Sequence, residues 1–207
     1  MRKRLWEDNM NYNIICGKRE DLDKAEIAYI NDVPWGSTYT PECGFQGIFI
    51  PEEGFLFRLF CVEKNPRITY LEPGGEVCED SCLELFLNFA PEKSKSYINF
   101  EMNAAGAYQF GIGPDRYDRV EMNTPHMPTV KAEILEDKWQ VTLFIPLKAI
   151  EAVYGKNDFA KGYTITGNAF KCGDLTESEH YLTWAPVQRD AMDFHRSDRF
   201  GTFTIIG

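Results

Sequence analysis

Glu84, Tyr97, Glu101 and Asn103 are the residues of this chain whose types and spacing could do chemistry together. Glu84 lies in Asp80-Ser81-Cys82-Leu83-Glu84-Leu85-Phe86-Leu87-Asn88, and the other three in Tyr97-Ile98-Asn99-Phe100-Glu101-Met102-Asn103. Both segments alternate. Cys82, Glu84 and Phe86 oppose Leu83, Leu85 and Leu87, while Tyr97, Asn99, Glu101 and Asn103 oppose Ile98, Phe100 and Met102. Such a period describes strands with one face in a core. The polar run Ala90 to Ser96 reads as a turn, so an antiparallel hairpin is expected. Its wet face would present acid, amide and phenol groups, a set suited to a hydroxyl-rich ligand.

The elements that position this hairpin read as strand after strand. Asn13–Gly17, Cys43–Ile50, Phe55–Val62, Arg67–Leu71, Cys82–Phe89, Tyr97–Asn103 and Ala107–Gly111 come first. Thr129–Leu135, Trp139–Ile145, Tyr163–Phe170, His180–Trp184 and Gly201–Ile206 follow. Turns such as Pro51-Glu52-Glu53-Gly54 and Glu72-Pro73-Gly74-Gly75 separate them. One helix is expected, Pro146 to Tyr154, opened by a proline and closed by Gly155. Many short strands and one short helix predict an all-β, antiparallel β-sandwich. Trp139 and Trp184, in alternating segments, read as core.

With 207 residues and 43% hydrophobic content, the chain can build one large core, and 1–207 reads as a single domain. A net charge of -10 without a Lys/Arg run argues against nucleic acid as a partner. Nothing reaches the run of about 18 apolar residues that would span a membrane. The opening segment Met1-Arg2-Lys3-Arg4-Leu5-Trp6-Glu7-Asp8 is basic, but no apolar stretch follows it. It does not read as a secretory signal, so a cytoplasmic location is expected, or an extracellular one if a leader has been removed. The six cysteines, 16, 43, 61, 78, 82 and 172, lack paired metal-binding spacing and read as buried thiols. In an exported protein Cys82 with Cys172 would be the first disulfide pair to test.

Taken in order, several segments resemble family 9 carbohydrate-binding modules. Asp80 to Phe86 and Asn99-Phe100-Glu101-Met102-Asn103-Ala104-Ala105-Gly106 are similar to that family's central hairpin. Asn168 to Asp174, His180-Tyr181-Leu182-Thr183-Trp184-Ala185-Pro186, Asp193-Phe194-His195-Arg196 and Arg199-Phe200-Gly201 are similar to its closing strands. Val33-Pro34-Trp35 fits an early loop, and the likeness is strongest over 35–206. The resemblance implies a jelly-roll-like sandwich that binds mono- or oligosaccharides without transforming them. It puts Glu84 on the acidic ligand contact, Asn103 on the amide contact and Phe194, before His195 and Arg196, at one of two clamping tryptophans. The second clamp falls on Val77, and the position of a ligand-binding guanidinium on Glu101. Trp35 or Tyr70 is then expected to supply the missing wall. The family also implies structural calcium, for which Asp80 and Glu79 are the candidate ligands. Asp80 reads equally well as an acceptor of backbone N–H bonds at the hairpin.

Each of these residues has a plainer structural reading. Glu84 could pair with Arg58 or Lys171, since a charge among core neighbours must be paired or wet. Asn103-Ala104-Ala105-Gly106 could be a turn, and His195-Arg196 could close the sandwich. Function classes other than sugar binding have weaker support. Glu84 and Glu101 have the residue types of a glycosidase pair, but no nucleophile elbow, phosphate loop or zinc helix accompanies them. Gly111-Ile112-Gly113-Pro114 resembles a nucleotide loop only superficially. A haem would need a methionine among 102, 122, 127 and 192 to face His126, His180 or His195. An interaction scaffold with a degenerate sugar site, working with a partner enzyme or a second copy, is the main rival.

Overall fold

The computed structural model describes residues 10–207, so the basic opening segment and the reading of a leader lie outside the described residues. Among the described residues are thirteen strands, eleven of which form one hydrogen-bonded path that curls into two layers while two short ones pair alongside it. In chain order they are β1 (Asn11–Cys16), β2 (Ala28–Tyr29), β3 (Cys43–Ile50), β4 (Gly54–Cys61), β5 (Cys82–Asn88), β6 (Tyr97–Asn103) and β7 (Tyr108–Gly113). Then come β8 (Val120–Glu121), β9 (Thr129–Ile134), β10 (Trp139–Pro146), helix α1 (Leu147–Tyr154), β11 (Thr164–Gly173), β12 (His180–Thr183) and β13 (Gly201–Ile205). One layer runs β8-β7-β6-β5-β11-β13-β1 and the other β1-β3-β4-β10-β9. β1 belongs to both. Its first residues pair with β13 and its last with β3, both in parallel. Every other strand pair is antiparallel, as the sequence predicts.

The inner faces meet in a core of Phe45, Phe57, Leu59, Leu83, Leu85, Phe100, Trp139, Leu143 and Phe203, all fully buried. β10 shows the period directly, with Trp139, Val141, Leu143 and Ile145 buried and the residues between them half-exposed. Trp184 joins this core.

Two sequence expectations are corrected here. Arg67–Leu71 is not a strand; it carries no ladder and is held instead by side chains of the following turn. The face of the β5–β6 hairpin read as wet is dry, for every residue of both strands is buried. The cause is a second apolar layer on the outside of the sheet. Val77, Cys82, Phe86, Tyr97, Phe170, Val187 and Phe194 pack together there, beneath segments that precede β5 and follow β12. Alternation reports which way side chains point, not whether a later loop covers them.

Candidate functional site

The outer face of β5, β6 and β11 is the floor of a cleft, and loops supply its walls. β5 and β6 pair so that Glu84 stands directly opposite Glu101. Two carboxyls in that position repel each other. Burial first, and then Glu101, push the Glu84 carboxyl well above its ordinary range. Glu101 is raised as well, by burial, with Arg119 working against it. The Arg119 guanidinium lies 3.6 Å from Glu101, and Asn99 donates to the same oxygen at 2.7 Å. Asp174, just past β11, also lines the cleft and is raised by burial.

Trp35, Tyr181 and Phe194 form the apolar side. Trp35 and Phe194 have centroids 5.2 Å apart at 31°, and Tyr181 packs edge-on to both. A sugar ring held between two aromatic faces needs them about 7–8 Å apart. Trp35 and Phe194 are therefore one wall and not a clamp. Phe194 is stacked on Phe170 at 4.2 Å, which leaves little of it exposed. The Trp35 indole N–H is fixed by the carbonyl of Gln188 at 3.1 Å. Val77 is buried in the layer beneath, and Tyr70 does not line the cleft; its hydroxyl donates to Glu79 at 2.7 Å.

His195 joins the aromatic and charged halves. The Arg119 Nη1 lies 2.7 Å from its Nε2 and 2.9 Å from its Nδ1, and the Tyr97 hydroxyl is 2.7 Å from Nδ1. Burial, Arg119 and Arg116 push the ring down to about 3, so it is neutral. Arg116 reaches Asp193 at 3.3 Å and lines the same space. The cleft has two continuous lobes of about 290 and 490 Å³ that share Cys78, Glu101, Arg116, Asp174 and His195.

Of the sequence-derived candidates, Trp35, Glu84, Glu101, Phe194 and His195 come together here. Tyr97 lies beneath, orienting His195 and stacking on Phe86. Asn103 does not reach the cleft. Its amide donates to the Tyr70 carbonyl and to Asp80, and its oxygen accepts from Ala105 and Ala107. It shapes the turn before Gly106 and has no group left for a ligand. Arg196 turns away into a two-point pair with Asp198, both contacts at 2.9 Å. Neither partner proposed for Glu84 is used, since Arg58 pairs with Asp23, and Lys171 lies on the other face of β11 with Glu63 and His180.

Asp80 does not fit calcium. Its carboxylate accepts from the backbone N–H groups of Thr69 and Tyr70 and from Asn103, with Arg67 at 3.6 Å. Those bonds use the lone pairs that a cation needing about six to eight oxygens would take. Glu79 is occupied by Tyr70. Haem fits no better. His180 sits between Lys171 and the Ser178 carbonyl, both His195 nitrogens are engaged, His126 is on the surface, and Met102 and Met122 are core. Cys82 and Cys172 face each other in register as free thiols.

Arg119, Arg116, Asp174 and Tyr181 were missed by sequence reasoning. For Arg119 a signal existed. Gly111 and Gly113 share one face of β7, and a Cβ on either would lie 2.6 Å from Arg119 atoms. Glycines two apart in a strand mark a close approach. Arg119 thus brings from a loop the guanidinium that position 101 lacks.

A sequence profile described as carbohydrate-binding family 9 matches residues 17–205. No curated protein matches the chain significantly. Among solved structures, a candidate carbohydrate-binding protein from Bacteroides uniformis superimposes with a TM-score of 0.81 at 22% identity, over 96% of this chain and 100% of that one. A family 9 module from Caldicellulosiruptor kristjanssonii bound to cellotriose gives 0.67 at 9% identity, over 96% and 94% of the two chains. The same organism's module with glucose gives 0.63 at 9% identity, covering 96% of each chain. These likenesses establish the shared sandwich, and the profile match over nearly the whole chain establishes more: it belongs to carbohydrate-binding family 9.

Proposed function

We propose that this domain binds a mono- or oligosaccharide, without transforming it, in the cleft between the Trp35 wall and the Glu84–Glu101 floor. The observation that carries the reading is the meeting of an aromatic face with carboxyl and guanidinium groups in one open space. A pyranose has an apolar C–H face that gains by stacking and a rim of hydroxyls that both donate and accept. Arg116 and Arg119 would donate to such hydroxyls, and Glu84 and Glu101 would exchange hydrogen bonds with others.

The carboxyl arrangement favours binding over hydrolysis. Glycosidase carboxyls flank the scissile bond, whereas Glu84 and Glu101 are neighbours on one floor, on directly paired strands. The complexes of the Caldicellulosiruptor module make glucose and cello-oligosaccharides the first ligands to try.

Calorimetric titration against glucose, cellobiose, cellotriose and a set of non-glucose sugars tests the reading. Trp35→Ala should weaken the best ligand about tenfold, equivalent to about 1.4 kcal/mol. Silence from every sugar at millimolar concentration would transfer the cleft to an interaction-scaffold role.

A further inference from the structure

The floor of the cleft contains an arrangement that sugar binding does not explain. Cys82 on β5 and Cys172 on β11 stand opposite each other in register, and Glu84 projects from the same face two residues along. One ligand atom from each of the three lies within 4.8 Å of the others, and all three residues are buried. Among the described residues the Glu84 carboxyl has a single hydrogen-bond partner, the Cys172 thiol, at 3.0 Å. A buried carboxyl ordinarily collects more partners than one weak donor.

We propose that Cys82, Cys172 and Glu84 form a site for a thiophilic d10 metal ion, with Zn²⁺ as the reference ion. Two sulfurs and one carboxylate oxygen match the donor types that Zn²⁺ takes, and three protein ligands leave a fourth position free. That position faces the cleft, because Glu84 and Cys172 both line it. Ligand atoms around tetrahedral zinc lie on the order of 3.5 Å apart, so closure asks for side-chain shifts of about 1 Å. The exchange balances simply: two thiol protons leave for solvent, one divalent ion takes their place, and Glu84 binds as the carboxylate. All three ligands bind in their deprotonated forms, so affinity rises with pH.

A second set in the same molecule shows what disqualifies such a cluster. Cys43 and Cys61 are also paired in register, with Glu63 close by. There, however, Glu63 already accepts from Trp139 and Ser81, and the Lys171 ammonium stands 3.7 Å away. That cation occupies the ground a metal would need. The Cys82–Cys172–Glu84 set has no ammonium or guanidinium within ion-pair distance of Glu84 among the described residues.

Co²⁺ titration of the reduced, chelator-stripped protein tests the proposal independently of any sugar. The expected result is one equivalent bound, with a thiolate-to-metal charge-transfer band that Zn²⁺ abolishes on displacing Co²⁺. Cys172→Ser and Cys82→Ser should remove the band, and Cys43→Ser and Cys16→Ser should retain it. Glu84→Gln keeps both thiols and the side-chain shape, so it serves if a cysteine variant fails to fold. It should weaken Co²⁺ by more than the about tenfold that even an outer-shell change costs. No band in the reduced wild type, or a band that survives with full affinity in Cys172→Ser or Glu84→Gln, overturns the site. So does a mass two hydrogens short with no metal bound, which would mark the pair as a disulfide.

Discussion

At the residue scale, the buried polar groups divide into those that hold the fold and those that face the cleft. Asp80 holds the fold. It ties Arg67–Tyr70 and Asn103 to the start of β5 through four partners. Asp80→Ala leaves two backbone N–H groups and an amide without their acceptor, and should cost about 3 kcal/mol by urea denaturation. Glu84 faces the cleft, and its raised pKa runs the other way. Its protonated form is the stable one when folded, so that contribution is complete below about 4.5, the unfolded value, and is lost as pH rises through the folded value. Glu84→Gln should therefore gain stability over wild type at pH 7 and show little gain at pH 4. His195 has the opposite sign. Its folded pKa lies near 3 against 6.5 when unfolded, so its contribution is whole above 6.5 and fades as pH falls toward 3. Thermal melts of His195→Asn between those limits should show a shallower acid decline than wild type.

At the element scale, the cleft exists because loops return over a sheet face. β5, β6 and β11 provide a rigid floor, and Trp35, Phe194 and Arg119 come from the loops β2–β3, β12–β13 and β7–β8. β7 admits Arg119 through its glycines. Gly111→Ala would place a methyl 2.6 Å from the Arg119 Nη2 and from the Asn99 Oδ1. Both are ends of side chains that can swing, so the stability cost should stay near 1 kcal/mol. Calorimetry should nevertheless show sugar affinity several-fold weaker, since Arg119 leaves its place beside Glu101. Unchanged affinity would remove Arg119 from the binding set. The alternation of β5 and β6 was legible in the sequence, but their burial was not: the covering residues come from segments both before β5, such as Val77, and well after it, such as Val187 and Phe194.

At the scale of the molecule, one path of hydrogen bonds joins both layers through β1, and one core lies between them. Unfolding should follow a single cooperative transition, with fluorescence and circular dichroism melts coincident. The chain carries a net charge of -10, and the sugars proposed as its ligands are uncharged. Saccharide affinity should thus change less than about twofold between 50 and 500 mM salt, where screening acts mainly on exposed charges.

The sequence alone determined the sandwich, eleven of the thirteen strands to within a few residues, the helix and the family, because period-two alternation and turn residues are local signals. It also placed Glu84, Glu101, Trp35, Phe194 and His195 among the candidates. Only the tertiary structure decided that Asn103 and Asp80 hold the fold, that Arg196 turns away, and that Arg119 comes from a loop to stand beside Glu101. A side chain's role depends on which partners saturate it, and those partners arrive from distant segments through packing that no local pattern encodes.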